Sequence, residues 1–165
     1  MTRPALVLVT GSRDLAGHTD AAAWVRAHLD ALAPAVVVTG DARGPDAWAA
    51  EWARDNDLVT ICRTYRLSGA VCTANLMEPV GWWCGRSRPP HGDDGRALWA
   101  AWCLHRDRVM VQHVARRAAD YAVTVLAARA LWSKTNGTAF TIARAKAAGL
   151  DVMERAWTPR DEVTA

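Results

Sequence analysis

ALVLVTGSRD at residues 5–14 and AVVVTGDARGPD at residues 35–46 decide the fold, because each segment runs from an apolar stretch directly into Thr-Gly and a polar loop. Short apolar runs bounded by glycine are typical of β-strands that are buried on both faces. Between them, apolar residues recur at helical spacing from Ala22 to Leu32, before Pro34 ends the helix. This order of strand, helix and strand predicts a βαβ unit with parallel strands.

The same alternation continues along the chain, except in one central stretch. The predicted elements after the second strand are a helix at 45–56, a strand at 58–62, a helix at 97–119, a strand at 121–128, a helix at 138–148 and a strand at 150–157. Residues 66–96 contain the Pro/Gly-rich cluster GWWCGRSRPPHGDDG and are predicted to form an irregular insertion or lid. We therefore expect one α/β domain over residues 1–165, with three layers, about five parallel strands and helices on both faces.

Composition limits the class of protein. The chain has 165 residues, 51% hydrophobic and 22% charged, which suits one compact domain. It contains no apolar run near the roughly 18 residues that a membrane-spanning helix needs, and no signal peptide is recognisable. We expect a cytoplasmic protein without a membrane partner. The net charge of +3 is small, and this argues against a nucleic-acid partner.

Three polar loops that contain glycine follow predicted strands: TGSRD at 10–14, GDARGPD at 40–46 and SKTNGT at 133–138. The carboxyl ends of parallel strands lie at one edge of a sheet, where ligands bind, and a helix N-terminus there offers N–H groups to a phosphate. The candidate ligand-binding residues are Gly11, Ser12, Arg13, Gly40, Asp41, Arg43, Gly44, Ser133, Asn136, Gly137 and Thr138. Asp46 either contacts the ligand or caps its own helix. The first loop also has a purely conformational explanation.

These motifs together resemble the SLOG superfamily, which is named for its Smf/DprA and LOG members. The resemblance rests on GSRD, GDARGPD followed by AWAAEWA, RDRVM at 106–110, AADYAVTVLAA at 118–128 and the SxxxGT turn, and it covers about residues 5–65 and 101–157. The chain is most similar to the YspA-like branch of small bacterial and phage proteins. The resemblance implies a Rossmann-like fold that binds a nucleotide or a nucleotide-derived phosphorylated ligand. We expect the protein to form a homodimer or a larger homo-oligomer.

The resemblance also implies site residues. By position it assigns Arg106 and Asp46 to the pocket, together with the loop glycines and arginines already named. LOG-type enzymes cleave the N-glycosidic bond of nucleoside monophosphates with an arginine in an RxxxM helix and a glutamate in the turn after a later strand. Arg106 and Met110 match that helix, but Thr141 stands at the glutamate position. Hydrolysis by this chain would then depend on another carboxylate, for which Asp14, Asp41 and Asp46 are the alternatives, and Asp46 is our candidate for the catalytic acid or base.

The insertion carries unusual residues but no standard motif. Its cysteines and histidines do not have the spacing of a zinc knuckle, so we expect no metal and no cofactor. These residues are Cys72, Cys84 and His91, with Cys103 and His105 just beyond the insertion. Trp82 and Trp83 either stack on a base or fill a core or an interface. Two tryptophan pairs at helical spacing, Trp48 with Trp52 and Trp99 with Trp102, are predicted to pack in the core.

Three functions stay open on the sequence. The first is a nucleotide-binding sensor or nucleotide-processing protein, with a LOG-like phosphoribohydrolase as its enzymatic form. The second is a DprA-like module that binds single-stranded nucleic acid. The third is an interaction protein that uses the Trp-rich insertion.

Overall fold

The computed structural model describes residues 2–40, 42–62 and 93–159, and it has alternating strands and helices. The strands are β1 (Ala5–Gly11), β2 (Val36–Thr39), β3 (Val59–Cys62), β4 (Ala122–Ala130) and β5 (Asp151–Trp157). The helices are α1 (Thr19–Leu32), α2 (Pro45–Asp55), α3 (Asp93–Arg116) and α4 (Gly137–Ala147), and a short 3-10 turn spans Arg13–Leu15.

The five strands form one parallel sheet in the order β3-β2-β1-β4-β5. The central strand β1 pairs with β2 on one side and with β4 on the other, so that Leu6 lies beside Val36 and Val123. The chain therefore adds β2 and β3 on one side of β1 and then adds β4 and β5 on the other side. The gap between the carboxyl ends of β1 and β4 is the switch point at which open α/β sheets bind their ligands.

Two separate apolar layers cover the two faces of the sheet. On one face, the buried residues Val25 and Leu29 of α1 and Trp52 of α2 pack against the sheet. On the other face, Met110 of α3 and Ala145 of α4 do so. Strands β1 and β2 read as continuous apolar runs because both of their faces are buried.

These features confirm the predicted three-layer, Rossmann-like α/β fold with a parallel sheet and helices on both faces. They also confirm the packing role of Trp48 and Trp52, since Trp52 belongs to the core and Trp48 lies against it. The side chains of Trp99 and Trp102 lie outside the described part of the chain. That the chain is one domain stays a prediction.

One boundary differs by a few residues. The insertion was predicted to extend to about residue 96, whereas α3 already begins at Asp93. The rest of the insertion, including Cys72, Cys84, His91, Trp82 and Trp83, lies outside the described residues. Among the described residues, no helix has both the length and the apolar character needed to cross a membrane.

Candidate functional site

A cavity of about 350 Å³ opens at the switch point of the sheet. Its wall is built from the loops after β1, β2 and β4 and from the middle of α3. The lining residues are Thr10, Gly11, Arg13, Ala42, Asp46, Leu104, Arg106, Asp107, Lys134, Thr135, Asn136, Gly137 and Thr138. Sequence segments that are far apart in the chain thus meet at one place.

Part of the cavity wall is positively charged. Lys134 is exposed beside the first turn of α4, and Arg13 lies on the loop after β1. The N-cap residue of α4, Asn136, makes no side-chain hydrogen bond to the first turn, and that turn contains no acidic residue. The first N–H groups of a helix have no partner within the helix and carry partial positive charge. These groups are suited to an anion.

Two buried carboxylates also line the cavity. Asp46 of α2 is 3% exposed and Asp107 of α3 is also 3% exposed. Arg106 lies between them and the loop after β2, with Nε and Nη2 donating to Asp107 Oδ1 at 2.9 and 2.7 Å and Nη1 donating to Gly40 O at 2.7 Å. The cavity wall therefore carries both basic and acidic groups.

Asp46 does not cap its own helix. The N-cap of α2 is Gly44, and Asp46 Oδ2 instead accepts hydrogen bonds from Gly40 N at 3.0 Å and Ala42 N at 3.4 Å. Its other oxygen, Oδ1, is buried without a hydrogen-bond partner among the described residues. Burial raises the pKa of Asp46 to about 6, because desolvation outweighs the opposing charge of Arg106. A carboxyl group that titrates near neutrality is suited to acid–base chemistry.

Asp107 was missed by the sequence analysis, although it stands next to Arg106 in the RDRVM segment. Burial raises the pKa of Asp107, and the adjacent Arg106 guanidinium opposes that rise. A Cβ on Gly137 would lie 3.2 Å from Asp107 Oδ2, so this oxygen lies against the first turn of α4. Lys134, inside the SKTNGT loop, was missed as well.

The predicted site residues divide into two groups. The first group lines the cavity: Gly11, Arg13, Asp46, Arg106, Asn136, Gly137 and Thr138. The second group is absent from that wall, and its described contacts are with the protein itself. Its members are Ser12, Gly40, Gly44 and Ser133. Asp41 lies outside the described residues.

The second group supports the loops. Ser12 Oγ accepts a hydrogen bond from Ala130 N at 3.0 Å, which ties the loop after β1 to β4. Gly44 has φ of +83°, a conformation that glycine adopts without strain. Ser133 Oγ lies 3.1 Å from Thr135 Oγ1. Thr141, at the glutamate position of LOG-type enzymes, is fully buried and donates to Gly137 O at 3.0 Å within α4.

Arg43 lies in a second, shallower cavity of about 600 Å³. Its wall is formed by Arg13, Asp14, Ala16, Gly17, Arg43, Trp132, Lys134 and Thr135. Because Arg13, Lys134 and Thr135 also line the first cavity, the two are adjacent. We call the first the inner cavity and the second the outer cavity. Trp132 is half-buried and stacks on His18, with ring centroids 6.4 Å apart.

Within the part of the chain that the structure describes, no group of three or more His, Cys, Asp or Glu side chains is arranged to hold a metal ion. The side chains of Cys103 and His105 lie outside that part.

Comparisons with known proteins show the fold. No protein-family model and no curated protein matches the chain. Among solved structures, it is similar to the X-ray structure of DNA processing protein A (DprA) from Streptococcus pneumoniae, with 21% sequence identity and a TM-score of 0.53 over 92% of this chain and 50% of that chain. The chain thus spans half the length of that DprA chain. It has the Rossmann-like fold that DprA contains.

Proposed function

We propose that the inner cavity binds a nucleoside phosphate, that is, a nucleotide or a nucleotide-derived phosphorylated ligand. The observation that carries this proposal is that cations, a helix N-terminus and carboxylates line one cavity. Lys134, Arg13 and the N-terminus of α4 supply positive charge, and Asp46 and Asp107 supply two carboxylates.

The chemistry of the ligand follows from these groups. The cations and the helix N-terminus favour a phosphate, because charge-assisted hydrogen bonds from cations and helix N–H groups are strong. The carboxylates disfavour a second anion and favour hydroxyl or amino donors. A nucleoside phosphate has this arrangement, with a dianion at one end and hydroxyl and amino groups at the other.

The test is isothermal titration calorimetry with inorganic phosphate, adenosine and the common nucleoside monophosphates. We expect a nucleotide to bind more tightly than either phosphate or nucleoside alone, and to stabilise the protein by about 2.7 kcal/mol at 100 times its dissociation constant. If no nucleotide binds while the protein is folded, the proposal is overturned.

An enzymatic form of this function is favoured by one observation, the buried Asp46 whose pKa lies at about 6. In that form Asp46 acts as the acid or base in cleavage of the N-glycosidic bond, and Thr141 has no catalytic part. Free base released from a bound monophosphate, and its loss in Asp46→Asn, would support hydrolysis. Binding without release would leave a sensor or binder.

The second candidate function is binding of single-stranded nucleic acid. Two observations favour it: the neighbour in fold is named a DNA processing protein, and the outer cavity joins Arg13, Arg43 and Lys134 with the indole of Trp132. Cations beside an aromatic ring suit a strand whose bases stack. This candidate predicts a steep fall of affinity with salt.

Arg43→Ala separates the two candidates. Since Arg43 lines only the outer cavity, its loss should weaken binding of an oligonucleotide and leave a monophosphate nearly unaffected. Membership of the YspA-like branch and a homo-oligomeric state also belong to our proposal, and light scattering on the purified protein tests the second.

A further inference from the structure

We infer that Asp107 makes the inner cavity selective for ribose over deoxyribose by accepting a hydrogen bond from a sugar hydroxyl. This inference rests on the proposed nucleotide function and adds the class of sugar to it.

The two oxygens of Asp107 have different surroundings. Oδ1 accepts both hydrogen bonds from Arg106, at 2.9 and 2.7 Å. Oδ2 has no hydrogen bond from any described residue, and the residue lines the cavity. An acceptor on a cavity wall that lacks a protein partner is available to a donor on a ligand or on water.

The position of Oδ2 is fixed from two sides. Arg106 is itself held by Gly40 O at 2.7 Å, so it presents the carboxylate in one orientation. The absence of a side chain at Gly137 leaves room for Oδ2, since a Cβ there would be 3.2 Å away. A carboxylate oxygen held in one position is suited to accept a hydrogen bond from one particular donor group on a ligand.

The donor is a hydroxyl rather than a phosphate, because a phosphate beside Asp107 and Asp46 would bring three acidic groups together. With the phosphate near Lys134 and Arg13, the sugar is the part of a nucleotide that would lie nearest to Asp107. An amino group of the base is the other donor that a carboxylate accepts, and a comparison at constant base separates it from the hydroxyl.

The experiment measures the affinities of AMP, 2′-deoxy-AMP and 3′-deoxy-AMP by calorimetry, for the unaltered protein and for Asp107→Asn. We expect removal of one hydroxyl to weaken binding about 10- to 100-fold, as for a lost hydrogen bond to a charged group. In Asp107→Asn this ratio should fall below about 5, because the charged acceptor is gone. Asp151→Asn, an exposed change at the start of β5, is the matched control and should keep the full ratio.

Equal affinities for all three nucleotides in the unaltered protein would overturn this inference and leave the proposed function standing. The same follows if the ratio persists unchanged in Asp107→Asn, since another group would then read the hydroxyl. Absence of binding by every nucleotide overturns both proposals. Equal affinities in the unaltered protein overturn the inference even if the variant fails to fold.

Discussion

Arg106 donates a 2.7 Å hydrogen bond from Nη1 to the carbonyl oxygen of Gly40, which lies 66 positions earlier in the chain. A Cβ on Gly40 would lie 2.9 Å from Arg106 Cζ and 2.9 Å from Asp46 Oδ2, so the contact requires glycine. The arginine that the sequence matched to a catalytic motif thus also joins α3 to the loop after β2.

Arg106→Met should destabilise the protein by about 3 kcal/mol or more, because it leaves the carboxylate of Asp107 buried without its charge partner. The pair has side-chain exposures of 12% and 4%. Urea denaturation measures the change. The matched control is Arg54→Met, which breaks an ion pair exposed to 74% and 58% and should cost less than about 0.5 kcal/mol. Equal losses in both variants would contradict the structural role of Arg106.

Asp46→Asn should change how stability depends on pH. The folded protein raises the pKa of Asp46 to about 6 from 3.8, so it binds more protons than the unfolded chain between these values. Stability attributable to this group therefore falls as pH rises from about 4 to 6, by about 3 kcal/mol in all. Asparagine does not ionise. The free energy of unfolding of the variant relative to the unaltered protein should accordingly be about 3 kcal/mol higher at pH 8 than at pH 4. A difference that does not vary with pH would show that Asp46 titrates normally.

Gly11→Ala should destabilise the protein by about 2 to 3 kcal/mol through overpacking. A Cβ at this position would overlap the ring of Pro45 and lie 2.9 Å from Ala128 O. Gly17→Ala is the matched control, since a Cβ there would meet nothing within 4 Å. Thermal unfolding of both variants tests the contrast. A stable Gly11→Ala protein that has lost only its ligand would instead assign Gly11 to binding alone.

Lys134→Ala should weaken nucleotide binding about 10-fold, because it removes a cation from the wall of the inner cavity that we propose binds the phosphate. Lys146→Ala, at the other end of α4 and paired with Glu154 at 3.5 Å, removes the same charge away from the cavity. We expect it to change affinity less than about twofold, since salt screens distant charges. Calorimetry with AMP compares the two. Equal effects would mean that overall charge, and not the cavity, controls binding.

The sequence predicted the alternation of elements well, because strands buried on both faces leave unmistakable apolar runs, as in residues 5–9 and 35–39. It placed Pro45 correctly in the first turn of α2, where a missing N–H group costs nothing. It did not predict the start of α3 at Asp93, because Gly95 and the prolines before it obscured the helical pattern.

The candidate site was predicted in part. Loops after parallel strands were expected to converge, and Arg13, Asp46, Asn136 and Gly137 do line one cavity. Ser12 illustrates the limit of that reasoning. Its place in a Gly-Ser-Arg turn does not reveal that its hydroxyl is used by Ala130 N, a partner 118 positions away.

By itself, the sequence determined the fold class and the edge of the sheet where polar loops gather, since both depend on local periodicity and on the geometry of parallel strands. Only the tertiary structure decided which polar groups belong to the cavity and which are satisfied by the protein. Asp46 accepts hydrogen bonds from the backbone N–H groups of Gly40 and Ala42. Asp107 accepts a hydrogen bond from Arg106 at Oδ1, while its Oδ2 has no hydrogen bond from a described residue. The physical reason is that the burial and partners of a side chain depend on segments distant in the chain, which no local pattern encodes.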